Sequence, residues 1–202
     1  YGDGCFDYLS NGASWSCLPA DTFMVIGYGP NNCIDTLSNS TINLTELIES
    51  EQLEMNLLYQ LSDDIYSDTI SIGFPFVYSG TVYEECLLSS NNYLSFDIGN
   101  AMQYSAWSIN NAVPTNLNPL NAIMTPYQDL NPAYGGEIEY LTYGIAPNRV
   151  FIVRWKEIPM YSCTQELFSS TLYLFEGSNI IETHIETKPI CENWNEGAAI
   201  HA

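Results

Sequence analysis

From Thr69 to its end the chain is a succession of short runs rich in Ile, Val, Tyr, Phe and Thr, broken by Gly, Asn and Pro. The runs recur about every ten residues, with no helical pattern between them. Parallel strands need long crossovers, so neighbouring runs must pair antiparallel. "TISIGFPFVY" alternates and meets the turn "SGT". "VYEECLLSS" and "YLSFDI" flank Asn91-Asn92, a hairpin tip where Asn tolerates the left-handed backbone. "EIEYLTYG" and "NRVFIVRWKEI" flank "IAPN", and "LFSSTLYLFEG" and "NIIETHIET" flank Ser178. The expected fold is all-β, an antiparallel sandwich of jelly-roll-like kind.

The stretch before this rhythm reads differently. Leu44, Leu47, Ile48, Leu53, Leu57, Leu58 and Leu61 recur at three- and four-residue steps, with Glu46, Glu49, Glu51 and Glu54 between them. That spacing suits one short helix near 44–61, and two strands fit the same letters. The expected organisation is a Cys-containing segment, 1–62, packed on or extending a sandwich formed by 63–202. "WNEGAAIHA" opens a further apolar run at the end, which reads as an incomplete last strand.

Charge excludes several functions. Four Lys and Arg face 24 Asp and Glu, a net charge of -20. Nucleic acid and anionic membrane surfaces need cationic partners, so neither is expected. No apolar run approaches the roughly 18 residues of a membrane span. The same surplus suits divalent cations or plain solubility in a salty medium. Six cysteines, none in a CxxC pair, beside only two histidines argue against zinc and for three disulfides in an oxidising compartment. Cys163 and Cys191 flank the Leu167–Thr187 hairpin at similar distances from its turn, so antiparallel pairing brings them together. Cys5 is expected to pair with Cys17, and Cys33 with Cys86.

The order of elements in the β region carries a resemblance. "IGFPFVYSGTVYEECLLSSNNYLSFD", "PLNAIMTPYQDLNP", "GGEIEYLTYGIAPNRVFIVRW", "LYLFEGSNIIETHI" and "CENWNEGAAI" follow one another. This resembles a recurring extracellular module of Bacteroidetes surface proteins, the group with type 9 secretion and gliding adhesins. It is also similar to the nidogen-type extracellular domain. The hairpin tip departs from that pattern, with Asn91-Asn92 where the module favours Asn-Gly. The resemblance implies an adhesin-like or filament-like protein, secreted to the cell surface, with no catalytic residues and no required cofactor.

The residues themselves agree that catalysis is a poor expectation. Alternation places His184 opposite Ile181 and Ile185, on a solvent face beside Glu182 and Glu186, where it builds no nucleophile–base pair. Loop oxygens are better candidates for chemistry. Asp63 and Asp64 before the FPF strand, and Asp129 with Asn131 in "QDLNP", suit a structural calcium ion. The competing reading of Asp129 is turn capping ahead of Pro132, and of Asp63 and Asp64 a solvated loop. Trp15, Tyr134 and Tyr161 sit in loop-like contexts and are candidate ligand contacts, with glycans as one partner class. Asn39 and Asn43 fit the N-glycosylation pattern. Thr36 and Thr69 fit the Asp-Thr-aliphatic O-glycosylation rule that the resemblance implies. Three functions follow: a surface or filament subunit joined to other copies or surface proteins through an open sheet edge, a carbohydrate-binding module, and, third, a hydrolase.

Overall fold

The computed structural model describes residues 55–58, 62–110, 113–115 and 118–202. Among them run nine strands: β1 Asn56–Leu57, β2 Ile70–Tyr78, β3 Thr81–Leu88, β4 Tyr93–Ser95, β5 Ala122–Met124, β6 Glu137–Tyr143, β7 Val150–Met160, β8 Cys163–Phe175 and β9 Ile181–Thr187. They form two antiparallel sheets, ordered β1-β6-β7-β8-β9 and β2-β3-β4-β5. The β-sandwich expected from the strand rhythm is present. Its connectivity is simpler than a jelly roll, because each sheet is a meander and only β1 joins its sheet out of sequence.

The helix expected near 44–61 does not include Asn56 and Leu57. Those residues pair with Tyr140 and Glu139 of β6, so cross-strand hydrogen bonding overrides the leucine spacing there. The remainder of 44–54, and 59–61, lies outside the described residues, as do Cys5, Cys17, Cys33, Trp15, Thr36, Asn39 and Asn43.

Alternation on β2 turns Ile70, Ile72, Phe74 and Phe76 inward. They meet Phe151, Val153 and Trp155 of β7 and Phe168, Leu172 and Leu174 of β8 in the main core. Trp155 is fully buried, and its indole N–H donates to the Ser89 carbonyl at 2.9 Å. A second core lies on the other face of β4 and β5, where Tyr66, Leu87, Tyr93, Met124 and Tyr127 pack together. Burial on both faces explains why these two short strands lack alternation. Gly73 forms a bulge in β2 with φ +86°, and a Cβ there would meet Thr142 at 2.9 Å.

Cys163 and Cys191 are joined, with Cα atoms 5.7 Å apart. The β8–β9 hairpin brings them together, as the sequence spacing requires. Replacing both by alanine should remove about 3.6 kcal/mol of stability, because the bridge closes a loop of 28 residues. Urea unfolding checks this, and a loss under about 1 kcal/mol would contradict it. Cys86 is a fully buried thiol with no disulfide partner among the described residues.

The end of the chain is seated on β5. Ile200 exchanges both backbone hydrogen bonds with Tyr127, and Ala202 does so with Met124. The run read as an incomplete strand thus lies along the edge of the second sheet.

Candidate functional site

The loop end of the sandwich gathers what the sequence scatters. Asp63 and Asp64 form a turn before β2, with Asp64 at φ +52°. The 125–131 segment brings Asp129 beside them, so that one carboxylate oxygen from each of the three lies within 4.8 Å of the others. Asn131 belongs to the same site. Its Nδ2 donates to Asp63 Oδ2 at 2.9 Å.

Two residues of the site escaped the sequence reading. Asn91, at the hairpin tip, is fully buried rather than a surface turn. Its Nδ2 donates to Asp64 Oδ1 at 2.9 Å and to the Ala106 carbonyl, and its Oδ1 accepts from the Leu130 amide. Trp194 donates its indole N–H to Asp129 Oδ2 at 2.8 Å. Trp194 also stacks obliquely on Tyr161 at 4.8 Å and on Trp107 at 5.7 Å. No periodicity marks these partners, since each is set by contacts from distant segments.

The turn-capping reading of Asp129 is corrected. Asn131 supplies the cap, its Oδ1 accepting from the Ala133 amide, while Asp129 is 5% exposed and turned to Trp194. Asp63 and Asp64 are half-buried rather than solvated. Tyr134 and Tyr161 are exposed at 71% and 36%. Thr69 is exposed just before β2, its amide donating to Asp68 Oδ1. His184 lies on β9 beside Glu182, as alternation places it.

Electrostatics decide what the cluster can do. Burial pushes the Asp129 carboxyl up to about 7, and Asp64 and Asp63 add repulsion while the Trp194 hydrogen bond opposes it. Burial raises Asp63 and Asp64 as well, with Asp64 adding to the shift at Asp63. The four basic side chains are engaged elsewhere. Arg149, Arg154 and Lys156 pair with Glu176, Glu139 and Glu137, and Lys188 donates to the Gly197 carbonyl. Asp63 Oδ1 is buried and accepts no hydrogen bond among the described residues. An all-oxygen donor set with surplus negative charge and an orphaned carboxylate oxygen fits a hard divalent cation such as calcium.

The sign of the pH dependence follows. Folding raises the Asp129 pKa above the unfolded value, so its favourable contribution is full below about pH 4 and lost as pH rises through about 7. In chelator, the melting temperature should therefore fall from about pH 5 to about pH 8. Asp129→Asn should flatten that slope, and a slope unchanged by the substitution would contradict the assignment.

A family model described as NIDO related matches residues 36–201, most of the chain. The chain belongs to the NIDO-related family. No curated protein and no solved structure matches it. A NIDO-related domain is an extracellular type of domain, and the family is not known as catalytic. The disulfide suits that setting. Among the described residues no helix is long and apolar enough to cross a membrane.

Proposed function

We propose that this NIDO-related domain is a non-catalytic extracellular surface module, adhesin-like or a subunit of a surface assembly, whose loop end is organised by a calcium ion. Asp63, Asp64 and Asp129 hold the cation, and Asn91, Asn131 and Trp194 orient them. The observation that carries this reading is the convergence of three buried or half-buried carboxylates that none of the chain's four basic side chains neutralises. The ion would supply the missing charge and fix the turn before β2 against the 125–131 segment. The module acts outside the cell, and the motif order supports export by type 9 secretion in a Bacteroidetes host.

Calorimetric titration with calcium tests the reading. One equivalent should bind, and calcium at about 100 times its Kd should stabilise the fold by about 2.7 kcal/mol. Identical melts in calcium and in chelator would overturn the cation site.

A second reading has a specific observation in its favour. Trp107, Trp194 and Tyr161 form a row of rings beside Asp129. Aromatic faces next to polar oxygens suit a sugar. A glycan array should then give hits that disappear with Tyr161→Ala. An array without hits would remove this reading and leave the first standing.

A further inference from the structure

Strand β9 differs from the other sheet margins. The margin of β2 is blunted by side chains: Thr142 Oγ1 donates to the Ile72 carbonyl, Arg149 to the Gly73 carbonyl, and the Val77 amide donates to Asn179 Oδ1. Pro75 removes a further donor there. The margin of β5 carries residues 200–202. β1 is two residues long. β9 is seven residues long, and among the described residues nothing pairs with its outer side.

Register fixes which groups face outward. The Phe175 amide donates to the Ile180 carbonyl, and the pairing continues as Leu174↔Ile181, Tyr173↔Glu182, Leu172↔Thr183, Thr171↔His184 and Ser170↔Ile185. Hydrogen-bonded and non-hydrogen-bonded pairs alternate in an antiparallel ladder. The backbone groups of Glu182 and His184 therefore point at β8, and those of Ile181, Thr183 and Ile185 point away from it. The side chains of these same three residues share the face of Leu172 and Leu174, the core face. Ile181 and Ile185 remain 38% and 50% exposed at this sheet margin. The opposite face carries Glu182, His184 and Glu186, with His184 3.4 Å from Glu182 and Glu186 accepting from Thr171 Oγ1 through one of its two carboxylate oxygens.

We propose that β9 is a docking edge for an extended strand of another protein, one that alternates apolar with basic residues. Its backbone would pair with Ile181, Thr183 and Ile185, its apolar side chains would cover the two isoleucines, and its basic side chains would face Glu182 and Glu186. A second copy is the poorer occupant. Antiparallel β9–β9 pairing centred on His184 sets Glu182 against Glu186, and although pairing centred on Thr183 or Ile185 sets a glutamate against His184 instead, each chain carries a net charge of -20 that repels a second copy in any register. The net charge thus disfavours self-pairing, while Glu182 and Glu186 favour a basic partner. This rests on reading the chain as an associating module and is independent of the cation: Asp129→Asn should leave it unchanged, so its failure leaves the calcium result standing.

The test uses the full chain, a synthetic peptide alternating Lys and Ile, and a control alternating Glu and Ile. Binding is read by fluorescence polarisation, and hydrogen exchange of the Ile181, Thr183 and Ile185 amides by NMR. The Lys peptide should bind and slow those amides, and the Glu peptide should do neither. Thr183→Pro should abolish binding, since it removes an outward amide without touching the ladder to β8. Glu182→Lys, which leaves the backbone intact, should weaken the Lys peptide about tenfold and improve the Glu peptide. Equal binding of both peptides, binding that survives Thr183→Pro, or edge amides already protected in the protein alone would overturn the proposal.

Discussion

Replacing Asn92 by alanine should lower the unfolding free energy by about 4 kcal/mol, out of the roughly 5–15 kcal/mol typical of a domain. Asn92 is fully buried at φ +59°. Its amide donates to the Thr125 and Pro126 carbonyls, and its Oδ1 accepts from Ser170 Oγ. Alanine removes three buried hydrogen bonds at about 1 kcal/mol each; Ser170 Oγ and the Thr125 carbonyl keep each other, and the Pro126 carbonyl loses its partner. It also pays about 1 kcal/mol for a left-handed backbone without a compensating polar side chain. Asn92→Gly relieves the backbone strain alone and should recover only that part. The midpoint of urea unfolding should fall at unchanged slope. A loss under about 1 kcal/mol would show that this polar seam does not hold the hairpin between the sheets.

Asp129→Asn should change stability with opposite signs in two buffers. In chelator the substitution removes a buried charge that Asp63 and Asp64 repel, so the melting temperature should rise. Asn keeps an oxygen to accept the Trp194 hydrogen bond, so packing survives. In saturating calcium the wild type gains about 2.7 kcal/mol at 100 times Kd and the variant loses most of that gain, so the order reverses. For a chain of this size each kcal/mol moves the melting temperature by about 2–4 °C, so the crossing is well within reach of calorimetry. The same sign in both buffers would mean that the three carboxylates share protons and hold no cation.

The contrast between these residues shows where the sequence is legible. Strand identity and pairing follow from period-two alternation and turn chemistry, and the β6–β7 and β8–β9 hairpins lie where those rules place them. The Cys163–Cys191 bridge follows from the same register. Asp63, Asp64, Asp129 and Asn131 stand out as loop oxygens, and the fold brings them together. Their division of labour is not legible, because Asp129 and Asn131 are two residues apart and either side chain can cap the following turn. Asn91 and Asn92 are read locally as turn residues, and no local pattern singles out Trp194. Their side-chain hydrogen-bond partners lie 15 to 78 residues away, a distance over which no local pattern carries information. The short strand at Asn56–Leu57 was masked by leucines at helical spacing, and only its partner strand decides between the two readings.

Terbium luminescence excited through indole tests the cation site most directly. Terbium takes calcium's oxygen ligands, and Trp194 is hydrogen-bonded to Asp129, one of the proposed ligands. The domain should sensitise terbium emission that saturates at one equivalent, excess calcium should quench it by displacement, and Asp129→Asn should abolish it. Emission that is absent, or that survives in Asp129→Asn, would contradict a cation held by Asp63, Asp64 and Asp129.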